Sequence, residues 1–326
     1  MTSLKEIKER GYMPNRIQIK LMTVGVYSII KLFITSPGSV KKLQEGQAPN
    51  QRYKRPKRAY DVPEITSEMQ CNCKDEKFLR PTRYCDHTKP EVVALAHKLG
   101  AGKLSDKEYV EKVFDFVKNH LHIEMVPFDG VENTLHRGAG TCYHLASVFI
   151  ALCRCAGIKA RYKLFAMQMI DAFYDDLIAK DEAIKKWYDS MGYFMLESEG
   201  EAFIDGEWVV AHVGPTPERQ AAMGIHLTQL GEDSIGNWFL AKPGTIMHVE
   251  SVPYGIPLLV SIGYKLAPGS MERFNLNIQT QHEHGKKVLS KYKDHSEYDK
   301  EARKKLPPQS PKVKIVKRKE IVFEDK

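Results

Sequence analysis

Gly138-Ala139-Gly140-Thr141-Cys142-Tyr143-His144-Leu145-Ala146 is a tight turn of small residues that delivers a cysteine to the start of an apolar helix. The spacing of Leu145, Val148, Phe149, Leu152 and Ala156 predicts a helix from Cys142 to about Ala156, stopped by Gly157. A thiol at a helix N-terminus faces unpaired N–H groups and the positive end of the helix dipole, which favour the thiolate. The same N–H groups suit a developing oxyanion. Cys142 is therefore the candidate nucleophile; the plainer reading is a half-buried cysteine. Cys153 and Cys155 lie at the other end of the helix, where the dipole disfavours a thiolate, and read as packing.

Working outward, Pro90 opens a helical pattern with an apolar stripe (Val92, Val93, Leu95, Ala96, Leu99) and a stop at Gly100. Ser105 starts the next helix, with Glu108 in its first turn. Downstream of Gly157, residues 161–168 read as a strand and 171–191 as a polar helical insertion. Residues 202–213 read as a hairpin turning at Asp205-Gly206. Further strands are expected at 245–252 and 258–266. Trp208, Trp238 and Phe239 are assigned to the core. The fold class expected is α+β, with the nucleophile helix packed on an antiparallel sheet.

Two blocks resemble the transglutaminase-like superfamily of papain-type cysteine folds. The first runs from Thr134-Leu135 through Gly140-Thr141-Cys142 to Arg154-Cys155-Ala156-Gly157-Ile158-Lys159-Ala160-Arg161. In that family a Gly-x-Cys turn opens the nucleophile helix and an Arg-x-x-Gly-Ile-x-Ala-Arg segment leads into the first strand. The second block, Glu201 to Val210, resembles the family hairpin whose strands carry a histidine and an aspartate. The resemblance spans roughly residues 80–280, a domain-sized stretch. It implies a Cys-His-Asp triad, in which histidine takes the thiol proton and the acid orients the ring. Registered on Asp205-Gly206 and Trp208, this chain departs from that pattern: the family's histidine falls on Glu197 and its aspartate on His212. Three readings stay open. Acid and base have exchanged, giving Cys142, His212 and Glu197; the register slips, making Glu199 or Glu201 the acid; or the triad is broken. His144, two residues after Cys142, points to another helix face. Glu201, alternating with Phe203, reads as surface.

A second constellation is Cys71-x-Cys73 … Cys85-x-His87, four ligands of the type that hold structural zinc, though at spacings less typical than CxxC. No cofactor is expected for catalysis, and no calcium loop is present. Six cysteines in 326 residues imply no disulfide framework and suggest a reducing, cytoplasmic setting.

The composition, 42% apolar and 28% charged, is that of a globular protein. Residues 1–60 carry about +10 and residues 286–326 about +7, leaving the centre acidic within a net +8. Three regions follow: a basic extension (1–60), a transglutaminase-like domain (61–285) and a charged tail (286–326). The apolar run 21–35 is too short to span a bilayer by itself but suits a surface-lying helix with basic flanks. The basic run 52–58 is a solvated linker or a patch for an anionic partner, membrane or nucleic acid. The function expected is a cysteine enzyme acting on amide bonds of a peptide or protein through a thioester, with water as the acceptor. The alternative is a degenerate binding module tethered by its basic ends.

Overall fold

In the computed structural model of the chain, the described residues are 3–46 and 52–305. Part of the Gln44–Gln51 stretch and the tail beyond 305 fall outside them. Three helices come first: α1 (Leu4–Glu9), α2 (Arg16–Thr35) and α3 (Pro37–Gln44). α4 (Pro90–Leu99) and α5 (Asp106–His120) follow. α4 stops at Gly100 in the left-handed conformation, and Ser105 closes a capping box with Glu108 at the start of α5, both as the sequence indicates. Strand β1 (His122–Ile123) pairs in parallel with β2 (Ala139–Gly140) across α6 (Val131–Arg137). Next come α7 (Cys142–Cys155) and β3 (Ala160–Met169). α8 (Asp171–Phe173) runs into a π-turn, Tyr174–Ile178, and then α9 (Glu182–Met191). β4 (Phe194–Ile204) and β5 (Glu207–Ala211) form the hairpin, followed by α10 (Pro217–Ala222), β6 (Phe239–Ala241) and β7 (Met247–Val249). The last helices are α11 (Gly255–Leu266), α12 (Pro268–Leu289) and α13 (His295–Ala302).

The main sheet is antiparallel in the order β5-β4-β3-β6, with β7 also paired to β3. α7 lies against β3 and β4 on one side and against α4, α5 and α6 on the other. Every residue from Tyr143 to Cys155 is buried, so this is a helix enclosed all round rather than an amphipathic one. The close approach of helix and sheet depends on Gly200: a Cβ there would sit 2.5 Å from Cδ1 of Phe149. At the far end of α7, the guanidinium of Arg154 donates to the carbonyls of Ala160, Arg80 and Glu250 at 2.8–3.0 Å. That staple ties helix, first strand and entry loop together, which is a physical reason for an arginine before Gly157-Ile158. The β4–β5 turn has positive φ at both Asp205 (52°) and Gly206 (87°), the geometry that matches strand twist in a two-residue hairpin.

Several expectations change. Residues 258–266 are helical, within α11, not a strand. An apolar run of that length carries no periodicity to separate helix from strand, and Pro257 sits in the first helical turn, where its missing N–H costs nothing. The 171–191 insertion is not polar in its packing: Phe173, Leu177, Ile178, Ile184 and Tyr188 form a second core with Trp238 and Phe239. The apolar N-terminal run begins at Arg16, so α2 has 20 residues and reaches bilayer-spanning length by composition. Yet it packs on α3 and α9 through buried Leu21, Gly25, Ser28 and Leu32. Residue 286, taken as the start of a tail, lies inside α12.

Candidate active site

Thr141 caps α7 and holds the ring of His144 by its hydroxyl at 2.8 Å. The other ring nitrogen of His144 meets Asp129 at 3.2 Å. His144 thus belongs to the cap and not to the thiol, as its position two residues on implies. Cys142 follows the cap. Its Sγ lies close enough to the carboxyl of Glu197 on β4, and to the backbone N–H groups of Ser198 and Tyr143, for all three to act on its proton affinity. The expectation of a depressed thiol fails here. Burial, and then the charge of Glu197, push Cys142 well above the ordinary thiol value; the two N–H groups oppose this without overcoming it.

Glu197 is 5% exposed. Burial, then the neighbouring charge of Glu199, push it up to about 8, while the hydrogen bond from Cys142 and the charge of Arg219 pull the other way. His212 comes just after β5, one step beyond the last paired residues, Gly200 and Ala211. Both it and Glu197 border the space beside Gly214: a Cβ there would lie 3.7 Å from Glu197 Oε1 and 3.9 Å from His212 Nε2. Neither ring nitrogen of His212 has a hydrogen-bond partner among the described residues. The ring is wholly buried, with Trp238 and Phe239 centred 6.3 and 6.1 Å away. Burial, then the charges of Lys118, Lys163 and Arg219, hold it well below the usual histidine range, so it is neutral. The structure therefore joins Cys142 to Glu197 and leaves His212 beside them, bonded to neither.

Glu199 and Glu201 go elsewhere. Glu199 is 3.0 Å from Lys163, which also meets Asp233 at 2.5 Å. Glu201 is not surface: it is buried, and its carboxylate accepts from Arg161 at 2.5 Å and His248 at 2.9 Å. Two site residues carried no sequence signal. Arg219, on the short α10, is buried and drawn down to about 10, chiefly by burial. Lys118 is pushed down to about 7 by burial and donates to the carbonyls of His212 and Pro215 at 3.4 and 3.1 Å. Its place inside the apolar stripe of α5 was the one hint.

Of the four metal-ligand candidates, Cys71, Cys73 and His87 lie together, their ligand atoms within 4.8 Å of one another. Cys85 does not join them: it is buried beneath α7, where its thiol donates to the carbonyl of Ser147 at 3.5 Å. Cys71 and Cys73 are disulfide-bonded, so the expectation of no disulfide is corrected there.

Cys142, Glu197, His212 and Arg219 border a cavity of about 510 Å³, within the range of small-molecule sites. Its other walls come from α2, α11, α12, β3 and the second core.

Residues 93–172 match the sequence model of the transglutaminase-like superfamily. The match takes in the α7 turn and first strand, and the buried helix on an antiparallel sheet is consistent with an α+β, papain-like core. No curated protein matches the chain. Among solved structures, a candidate cysteine protease from Cytophaga hutchinsonii is similar at 18% identity and TM-score 0.32, covering 57% of each chain. A candidate protease from Parabacteroides distasonis is similar at 18% identity and TM-score 0.26, covering 38% of this chain and 23% of that one. The chain thus spans little more than half of the first and under a quarter of the second.

Proposed function

We propose that the protein is a cysteine-dependent acyl-group enzyme in which Glu197, not His212, serves as the base. The observation that carries this is the placement of Glu197 beside Cys142 at the N-terminus of α7, where both border the same cavity. A carboxyl with a pKa of about 8 is suited to exchange protons near neutrality. As Cys142 Sγ attacks an acyl carbonyl, its proton passes to the Glu197 carboxylate and the S–C bond forms. Glu197 then returns the proton to the leaving nitrogen as the C–N bond breaks. Water attacks the thioester, releasing the carboxylic acid and restoring the thiol. Arg219 steadies the carboxylate by charge, and His212 supplies a neutral wall.

A second reading, the non-catalytic binding module, draws on the unpartnered imidazole and the raised thiol. One experiment separates the two. Full-length protein is incubated with a panel of acyl anilides and acyl thioesters, quenched in acid, and the Cys142 peptide is weighed by mass spectrometry. The enzyme reading expects an acyl adduct on Cys142 that is absent in Cys142→Ala, with turnover retained in His212→Gln. No adduct and no turnover across the panel leaves the binding module.

A further inference from the structure

The cavity beside Cys142 is larger than proton transfer and a scissile bond require, and its walls are almost wholly apolar. Met22, Val26 and Ile29 of α2 face it, as do Leu259, Val260 and Ile262 of α11. Its charged members, Glu197 and Arg219, interact with each other, and Glu197 also with the thiol. A peptide laid along these walls would bury backbone N–H and C=O groups opposite few polar partners, at a cost of about 1–3 kcal/mol for each one left unpaired. A hydrocarbon chain has no such groups to satisfy. Ile30 on α2 and Ile262 on α11 both line the cavity and are exposed, with Ile34 and Leu258 exposed on the same two helices, so the apolar wall continues to the surface.

We propose that this cavity holds a long aliphatic acyl chain, so that the group passed to Cys142 is a fatty acyl group. This rests on the reading of Cys142 as the acyl acceptor. In the step implied, the S–C bond forms at the fatty acyl carbonyl, the bond to the donor nitrogen or sulfur breaks, the donor leaves with the thiol proton by way of Glu197, and water releases the fatty acid. Each buried methylene contributes about 0.8 kcal/mol, so affinity rises roughly fourfold per methylene until the cavity is full.

Binding is measured first, on Cys142→Ala, so that chemistry plays no part. The fluorescent C18 acid cis-parinaric acid is titrated in, then displaced by saturated acids of 4 to 18 carbons and by a tetraleucine peptide. The expected result is one site, with displacement steepening with chain length. Filling the wall at Gly263, where a Cβ meets nothing within 4 Å, by Gly263→Phe should shift the preference to shorter acids. No binding, no dependence on chain length, or stronger displacement by the peptide overturns the proposal. Wild-type protein is then offered palmitoyl and acetyl thioesters. Chain-dependent binding with no adduct on Cys142 would sink the enzymatic reading and leave the cavity assignment standing. Adducts of both acyl groups with chain-independent binding would do the reverse.

The three-ligand cluster carries a second inference independently. His87 is fully buried with neither ring nitrogen partnered, and its ligand atom lies within 4.8 Å of the sulfurs of Cys71 and Cys73. We infer that, once a dithiol reductant has broken the Cys71–Cys73 bond by thiol–disulfide exchange and itself become the disulfide, Cys71 and Cys73 as thiolates and His87 bind one zinc ion, releasing the thiol protons to solvent and leaving a fourth position for water. Reduced, metal-free full-length protein titrated with zinc should bind one equivalent and melt higher. His87→Ala and Cys73→Ser should lose that site, while Cys85→Ser keeps it. Absence of binding, or binding unchanged in His87→Ala, refutes it.

Discussion

The two ends of β4 hold the same residue on the same face with opposite consequences. At one end Glu201 meets Arg161 and His248, and their hydrogen bonds hold it below its ordinary value despite burial. At the other end Glu197 meets a thiol instead of a close cation, and burial lifts it to about 8. Glu199, between them, has Lys163 at 3.0 Å, yet burial still keeps it raised. Strand alternation puts all three carboxyls on one side. What separates the proposed base from a strut is the residue across the ladder: Phe165 opposite Glu197, Lys163 opposite Glu199, Arg161 opposite Glu201.

The sharpest way to break that contrast is Glu197→Gln. Turnover should fall by about 10²–10⁴, the usual loss on removing a general base. Cys142 alkylation by iodoacetamide should nevertheless shift to lower pH, because the anion that raises the thiol is gone. A midpoint that rises instead would reverse the assignment. Next in size is Lys163→Met, which strands Glu199 in the interior. It should cost about 3–5 kcal/mol in urea denaturation, and Glu199→Gln added to it should recover part of the loss. An unchanged midpoint would show that the pair is not buried in solution.

The third test uses pH. A carboxyl whose folded value is raised contributes stability that is complete below its unfolded value, near 4.5, and is lost as pH climbs through about 8. Wild-type stability minus that of Glu197→Gln should therefore fall across this window, by at most about 1.4 kcal/mol per pH unit. His212 acts with the opposite sign: its depressed value costs stability as pH falls below about 6.5. The difference between proteins, not the raw curve, is thus the quantity to follow. Smallest is Glu201→Gln, where the His248 side chain is 41% exposed; the loss should stay near 1 kcal/mol or less, and a loss as large as that of Lys163→Met would erase the distinction.

What was legible in the sequence was local. The small-residue turn, the enclosed helix, Gly100, the Ser105 cap and the Asp205-Gly206 hairpin each declare themselves within a few residues, because their cause lies within a few residues. The Glu197 register could be counted back from the turn, since strand pairing carries it. The identity of the thiol's partner could not be. It depends on the depth at which His212 settles between Trp238 and Phe239, residues 26 and 27 positions further along. Cys85 shared a ligand-like spacing with His87 but went under α7, which the spacing does not encode. The cavity left no trace, since its walls come from both ends of the chain.

That arrangement has a consequence for synthesis. α2 leaves the ribosome well before two of its neighbours: it packs on α9 and shares the cavity wall with α11, which follow some 150 to 240 residues later. At about 5–20 residues per second the wait is on the order of ten seconds or more. For that interval a 20-residue apolar helix has α3 beside it but neither α9 nor α11. A nascent chain in this state is a natural client for a holdase or a lipid surface, and the rate of translation downstream of α2 becomes a determinant of yield.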